Sequence, residues 1–282
     1  MNEIKESLDN TKSVVGVVTD IIRVASNSPA AAEAASNLGK TAVTITAAVN
    51  NLLLPLTAIN FAFDKARKYF TDQFEVDLKK KLSDVPEENV IEPKPYLAGP
   101  ALQGLSLTYD EPELRDMYLN LIASSMDDRV SSNVHPAFAE IIQQIAPFEA
   151  VLLQSVLATP NPLSIASIWR VDKKGGWLPL MKHLGNVTAT DGEMLEVPTL
   201  EIMVENWKRL GLVQVDYANQ VAGHKAYSWI NSRPELQKLR DLHQRDGNMV
   251  TPKFGVMMRT ALGQSFAVAV GLIEKPIFSK QS

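Results

Sequence analysis

Apolar residues recur at helical spacing through roughly the first 157 residues of the chain. From Glu3 to Ala25 they follow the i, i+3, i+4, i+7 pattern of an amphipathic helix that buries one stripe. Ser26-Asn27-Ser28-Pro29 interrupts the pattern, and proline suits the first position of a new helix. We therefore predict a second, alanine-rich helix from Ala30 to Leu38, and a charged amphipathic helix from Asp64 to Leu82.

The stretch from Thr41 to Phe63 contains no charged residue. Its length reaches the roughly 20 residues that a membrane-spanning helix needs. Its threonines and asparagines make it only moderately hydrophobic, and Pro55 would kink it or restart it. We expect a pair of buried helices here, and the alternative is a membrane-active segment. In that alternative the candidate residues are Leu52, Leu53, Leu54, Leu56, Ile59, Phe61 and Phe63.

Three prolines among thirteen residues, from Asp84 to Tyr96, predict an extended strap, because a residue that precedes proline avoids the α region. Gly99-Pro100 is expected to turn the strap into a helix that starts near Ala101. Such turn residues more often build a connector between helices than a binding site. We therefore interpret this segment as structural.

Further helix starts follow the strap. Asp110-Glu111-Pro112-Glu113 combines a capping residue with an acidic first turn, and it predicts a helix with a core stripe that includes Leu114 and Tyr118. Two more helices are predicted to open at Val134-His135-Pro136 and at Pro147.

The pattern changes after Pro160. An amphipathic helix over Leu200 to Leu210 is followed by Gly211 and by the alternating run from Leu212 to Tyr217. A second alternating run, Ala226 to Ile230, would complete a hairpin, and helix, glycine and hairpin together are the layout of a winged helix. A last helix is predicted from Thr260 to Val270.

These patterns predict a mainly α protein, in which an N-terminal multi-helix domain is followed by a winged-helix-like α+β domain. Residues 1–83 form the N-terminal helices with the uncharged segment 41–63. Residues 84–145 form the proline-rich strap and a helical core, and residues 146–282 form the winged-helix-like domain.

Charge is distributed unequally along the chain. Residues 1–145 carry 13 basic and 20 acidic side chains, a net charge of −7, and residues 146–282 carry 15 and 12, a net charge of +3. That excess is too small to indicate nucleic-acid binding by itself. The chain has no cysteine and its N-terminus lacks the features of a signal peptide, so a cytoplasmic location is expected.

A winged helix that binds DNA normally places a basic helix in the major groove. Here Glu201 and Glu205 offset Lys208 and Arg209, so the candidate helix has no net charge. A winged helix that binds a protein or is purely structural is therefore favoured over one that binds nucleic acid. The candidate contacts to nucleic acid or to a partner are Lys208, Arg209, His224 and Lys225.

No motif for catalysis or metal binding is found. The four histidines are far apart and none has a partner at the spacing of a helical zinc motif, so each is expected to lie at the surface or to cap a helix. The pair Asp127-Asp128 precedes Arg129 and is interpreted as a solvated helix end. We accordingly assign no catalytic residue, cofactor or metal ligand, and we expect a non-enzymatic protein.

Several blocks of the sequence carry a family resemblance. The longest is LSDVPEENVIEPKPYLAGPAL at residues 82–102, and the others lie at residues 113–127, 135–145, 206–213 and 260–266. Together they resemble the Abi-alpha (abortive infection alpha) family of bacterial proteins over most of residues 40–270, whereas residues 1–39 match less clearly.

The resemblance implies anti-phage defence, in which an infected cell stops growing or dies before progeny phage are released. It implies no catalytic residue. Two hypotheses follow: an interaction or effector protein that binds a protein partner, a phage component or a second copy of itself, and a nucleic-acid-binding regulator. In the first, residues 41–63 perturb a membrane on activation, and the protein then becomes membrane-associated.

Overall fold

A computed structural model of the protein describes residues 64–189, 191–223, 225–244 and 247–274. The helices predicted in residues 3–38 and the uncharged segment with its seven candidate residues, Leu52 to Phe63, lie outside the described residues, as does His224. The chain divides into two compact units. Of the described residues, the first unit contains 64–107 and 122–132, and the second contains 108–121 and those from 133 onwards.

The first unit is helical. It contains α1 (Asp64–Asp72), α2 (Phe74–Lys81), all but the last residue of α3 (Pro95–Thr108) and the last residues of α4 (Pro112–Ser125). The predicted helix from Asp64 to Leu82 is thus two helices that meet at Gln73. Just before this break, the Thr71 hydroxyl donates to the carbonyl oxygen of Arg67 at 2.9 Å, a contact that bends helices.

The predicted strap of the first unit is ordered. A short 3-10 helix, Glu87–Asn89, is followed by residues that pair with the end of α4. The Ile91 amide donates to Met126 O and the Asp128 amide donates to Asn89 O, both at 2.9 Å. Two backbone hydrogen bonds therefore hold the strap against the turn that ends α4.

The predicted start of α3 near Ala101 is wrong, since the helix begins at Pro95 and contains Pro100. Pro95 provides a proline at the first helical position, where its missing N–H is not needed. An internal proline such as Pro100 removes a hydrogen bond, but apolar burial along the helix offsets the loss. The buried apolar side chains of α3 are Leu97, Ala98, Ala101, Leu102 and Leu105.

The second unit contains the remaining helices. They are the first ten residues of α4, α5 (Ala137–Gln143), α6 (Pro147–Ala158), α7 (Leu200–Arg209), α8 (Pro234–His243) and α9 (Ala261–Ala269). The predicted starts at Pro112 and Pro147 and the predicted helices near His135 and Thr260 are confirmed. Phe138 of α5 and Phe266 of α9, both fully buried, meet edge to face at 5.6 Å between ring centroids.

A four-stranded antiparallel sheet forms the rest of this unit. Its strands are β1 (Leu163–Val171), β2 (Trp177–Gly185), β3 (Val213–Asp216) and β4 (Met249–Arg259), in the order β2-β1-β4-β3. The hairpin of β1 and β2 was not predicted. The strand predicted at Ala226 to Ile230 is wrong, because Ser228–Ser232 is a 3-10 helix and β3 pairs with β4 instead.

The alternation at 226–230 has another physical cause. Tyr227 and Trp229 both point towards the sheet and bury their rings there: the Tyr227 hydroxyl donates to Gly255 O at 2.9 Å, and Trp229 Nε1 donates to Ser164 Oγ at 2.9 Å. Trp229 and Ile230 belong to a core with Ala166, Ile168, Leu184, Leu236 and Val250. The winged-helix-like character of this unit stays a prediction.

Glycine allows α9 to approach the chain that follows α7. A Cβ added at Gly263 would fall against the backbone carbonyl of Leu212. The Thr260 hydroxyl caps the same helix by accepting from the Gly263 amide at 2.9 Å. Helix α7 packs against β2 and β3, on which the site described next is built.

Candidate functional site

Strand β2 carries two β-bulges where it pairs with β1. Ala166 pairs with Leu184 and Ile168 with Met181, so β2 has one extra residue in this interval, and the following register shift adds another. His183 lies in the first bulge with a φ of 56°, a conformation that non-glycine residues rarely adopt. Bulges redirect a side chain relative to the regular pleat. The bulge therefore sets the direction of the His183 side chain.

His183 is 2% exposed and makes three hydrogen bonds. Its Nε2 lies 2.6 Å from Glu205 Oε1 on α7, and its Nδ1 lies 3.1 Å from the Tyr217 hydroxyl. Its backbone amide also donates to that hydroxyl at 3.1 Å. The two rings stack with 23° between their planes, and Gly255 leaves the space that the Tyr217 ring fills.

The hydrogen bonds continue in both directions from this pair. Ser167 on β1 lies near the Tyr217 hydroxyl and lowers its pKa, and Trp169 Nε1 donates to Ser167 Oγ at 2.7 Å. On the other side, Lys208 Nζ lies 2.8 Å from Glu205 Oε2. A continuous chain of side chains, here named the buried network, therefore runs from Lys208 to Trp169.

Burial sets the charge states in the buried network. It lowers the pKa of His183, against the opposing effect of the hydrogen bond to Glu205, so the imidazole is neutral at pH 7. Burial also raises the pKa of Tyr217 to about 12. Hydrogen bonds from Lys208 and His183 lower the pKa of Glu205 to about 2. In these charge states every hydrogen bond of the ring has a donor and an acceptor when Nε2 of His183 carries the proton and the Tyr217 hydroxyl donates to Nδ1.

The buried network positions groups and does not expose a nucleophile with its base. Ser167 and His183 are each 2% exposed, so neither is accessible to a substrate from solvent. Its more accessible parts are the ion pair of Glu205 and Lys208 at one end and the half-buried Trp169 at the other. Among the described residues, no group of three or more metal-ligating side chains occurs.

The network ends in a groove at the surface of the sheet. This groove, here named the aromatic groove, has a volume of about 570 Å³ and is lined by Trp169, Trp177, Gln220, Thr251, Pro252, Lys253 and Phe254. The indoles of Trp169 and Trp177 meet edge to face at 6.2 Å. Trp177 is 60% exposed, and Lys253 is exposed and is the one charged residue in this lining.

The turn between β1 and β2 presents two further cations beside Trp177. Asp172 accepts from the backbone amides of Lys174 at 2.7 Å and of Gly176 at 2.9 Å, and these hydrogen bonds lower the pKa of its carboxyl. The acid thus closes the turn, while the side chains of Lys173 and Lys174 are exposed.

The sequence model of abortive infection alpha, Abi-alpha, matches residues 66–270, which is more than half of the chain. The chain belongs to the Abi-alpha family. Membership associates it with abortive infection, a form of anti-phage defence. The region shared with Abi-alpha includes the strap, the buried network and the aromatic groove. Searches of curated proteins and of solved structures found no match.

The predicted contact residues of this Abi-alpha protein lie in different surroundings. Lys208 is held by Glu205, and Arg209 donates to Gln144 Oε1 at 2.8 Å and to Asn206 Oδ1 at 2.6 Å. Lys225 is exposed in the turn that precedes the 3-10 helix at Ser228–Ser232. Their role in binding stays a prediction, as does the role of residues 41–63. Among the described residues, no helix is both long and apolar enough to cross a bilayer.

Two expectations about polar residues are corrected. His183 was expected at the surface or as a cap, but it is buried, because its polar atoms are satisfied by Tyr217 and Glu205. Asp127 was expected at a solvated helix end, but it is fully buried and accepts from Arg129 Nε at 2.8 Å. His135 does cap locally, by accepting from the Ala137 amide at 3.1 Å.

Sequence reasoning missed the residues of the buried network and of the aromatic groove. A signal for the hairpin exists, since Leu163 to Val171 contains a β-favouring run and Gly175-Gly176 marks the turn before Trp177. The pairing of His183 with Glu205 has no comparable signal, because the two are 22 positions apart and meet only through the bulge and the packing of α7.

Proposed function

We propose that the protein acts in abortive infection as a non-enzymatic binding protein whose recognition surface is the aromatic groove. The observation that supports this most directly is Trp177, a large indole that is 60% exposed beside the anchored Trp169. Tryptophan is enriched among residues that dominate binding energy at interfaces. An exposed tryptophan in a concave surface is therefore a candidate anchor for a ligand.

The buried network supports the same proposal. Burying Ser167 and His183 has a desolvation cost, which the hydrogen bonds of Ser167 with Trp169 and of His183 with Tyr217 offset. The hydrogen bond to the buried Ser167 fixes the orientation of the Trp169 indole. A groove whose walls are held in place loses less conformational entropy when a ligand binds. The network thus has a role in recognition that requires no catalysis.

Phage plating tests this proposal. Cells that carry the Trp177→Ala variant are expected to be protected at least about tenfold less than cells with the wild-type chain. Removing a central aromatic anchor costs on the order of 2 kcal/mol or more of binding free energy. The matched control is Leu242→Ala, which removes a 66% exposed apolar side chain from α8. The control is expected to protect fully. Full protection by a folded Trp177→Ala variant would refute the groove as the recognition surface.

A second candidate activity is perturbation of a membrane by residues 41–63. The uncharged stretch of this segment supports it. Leu53→Asp and Ile59→Asp would place a charge where insertion is costly, so both are expected to abolish depolarisation during infection. Membrane potential would be followed with a voltage-sensitive dye, and Leu242→Asp serves as the control for added charge. Unchanged depolarisation in the two segment variants would exclude this activity.

A further inference from the structure

We infer that the aromatic groove binds single-stranded nucleic acid. The inference deepens the proposed function and rests on it for the biological role of the groove. Its physical basis is the combination of an exposed indole, an anchored indole and a cationic surround on one face of an antiparallel sheet.

The indoles provide a stacking surface. Trp169 is fixed edge-on to Trp177 at 6.2 Å with 68° between their planes, so the two rings form a corner and do not cover one another. Trp177, at 60% exposure, presents ring surface to solvent. Every nucleobase has a π face, so such a platform binds bases with little regard to sequence. The groove volume of about 570 Å³ lies within the roughly 300–1,000 Å³ of ligand sites.

The charges near the indoles favour an anion. Lys253 is the one charged side chain in the lining, and Lys173 and Lys174 are exposed at the adjoining turn. The carboxylates at the neighbouring turns stay ionised and accept from backbone amides, Asp172 from Lys174 and Gly176, and Asp216 from Ala218 at 2.6 Å, so the three lysines exceed these two acids by one positive charge. A phosphate backbone across the groove would therefore meet lysine ammonium groups next to the stacked bases.

The same geometry favours single strands over duplexes. In a duplex the base faces are covered by their neighbours and cannot stack on Trp177. Reading a duplex requires an element with a basic surface that enters the major groove. Helix α7 does not provide one, because Glu205 holds Lys208 and because Arg209 is engaged by Gln144 and Asn206.

Fluorescence anisotropy tests the inference. The probe is labelled oligothymidylate, titrated with the full chain at low salt, and the same oligonucleotide annealed to its complement is the duplex comparison. Trp177→Ala is expected to weaken binding by about tenfold or more, because one stacked base is lost. Lys253→Gln is expected to reduce the slope of log K against log salt by about 0.7, because one phosphate contact to a single strand is lost. Leu242→Ala is the control and should bind as the wild type does.

Each outcome separates the inference from the proposed function. Absence of oligothymidylate binding at low salt, equal affinity for the duplex, or affinity unchanged by Trp177→Ala would overturn the inference. If Trp177→Ala abolishes phage protection while the wild type binds no oligonucleotide, the groove recognises a protein partner, and the proposed function stands without the inference. If the oligonucleotide binds through Trp177 but the variant still protects, the inference stands and the proposed function fails.

Discussion

His183 shows how one residue can join several elements. It sits in a bulge of β2, has a left-handed backbone, and links Tyr217, the residue that follows β3, to Glu205 of α7. Because burial favours the neutral imidazole, the folded protein resists taking up a proton that the unfolded chain accepts readily. Lowering the pH below the ordinary histidine range therefore reduces the free energy of unfolding of the second unit.

This residue predicts a pH dependence of stability. The ordinary histidine pKa is 6.5 and that of folded His183 is lower, so the unfolded state binds more protons as the pH falls through this range. The free energy of unfolding of the second unit is therefore expected to fall between about pH 7.5 and 5.5. His183→Asn, which tolerates the left-handed backbone, should show less of this fall.

Urea denaturation followed by tryptophan fluorescence provides the measurement. The four tryptophans, at positions 169, 177, 207 and 229, all belong to the second unit, so this signal reports on that unit. Glu205 does not contribute to this pH dependence. Folding lowers its pKa from 4.5 to about 2, so its contribution to stability is lost only at a pH below the range tested. Identical pH dependence in the wild type and in His183→Asn would contradict the assigned role of His183.

At the residue scale, local chemistry was predictable and distant pairing was not. The prolines at 112 and 147 predicted two helix starts, because a capping preference depends on residues within one turn. Asp127 is buried because Arg129 donates a hydrogen bond to it. The sequence alone does not distinguish this pair from two charged side chains that both face solvent. The buried network requires a fold in which residues of two strands, the residue that follows β3 and one helix meet.

Among the elements, most of the helices were predictable, whereas α8 and three of the four strands were not. The helical periodicity of α7 and of α9 is visible in the sequence, and both helices are present. The run from Ala226 to Ile230 has the alternation of a strand, yet Tyr227 and Trp229 alternate because both bury a ring beneath the sheet. Strand β4, the true partner of β3, begins 33 positions after β3 ends, at Met249.

Two helical glycines give a matched prediction at the scale of elements. Gly263→Ala should destabilise the second unit by about 1–3 kcal/mol, because the added methyl group meets the Leu212 backbone and forces α9 away. Gly99→Ala in α3 meets nothing within 4 Å. It should stabilise α3 by about 0.5–1 kcal/mol, because alanine restricts the unfolded chain.

Both variants are measured by urea denaturation, with fluorescence for Gly263→Ala and far-ultraviolet circular dichroism for Gly99→Ala. An unchanged midpoint for Gly263→Ala would show that α9 does not pack as closely on Leu212 as described. A loss of stability in Gly99→Ala would mean that the space around this position is filled.

At the scale of the whole molecule, the proposed groove and the proposed membrane segment have separable roles. The family associates the protein with abortive infection, and the aromatic groove is the surface proposed to bind a ligand. If the groove senses infection and residues 41–63 act on the membrane, a variant of each should fail differently.

Strong induced expression without phage would distinguish the two roles. Trp177→Ala should remain toxic at high expression and lose its response to phage, because only recognition is impaired. Leu53→Asp should lose both, because a charge in the segment opposes insertion. Growth curves and plating efficiency provide the measurement, with immunoblots to confirm equal protein levels. Loss of toxicity in both variants would contradict separate roles.

The order of the strands has a consequence for how the protein is made. Strands β1 and β2 are joined by a short turn, but β4, which lies between β1 and β3, begins only at Met249. Non-local pairing is slow, and chains acquire structure in the order of their synthesis. The central pair of the sheet therefore cannot form until residue 259 has left the ribosome. Until then, the edge of β1 that pairs with β4 has no strand partner, so a nascent chain that stalls before β4 keeps an unpaired strand edge that favours aggregation.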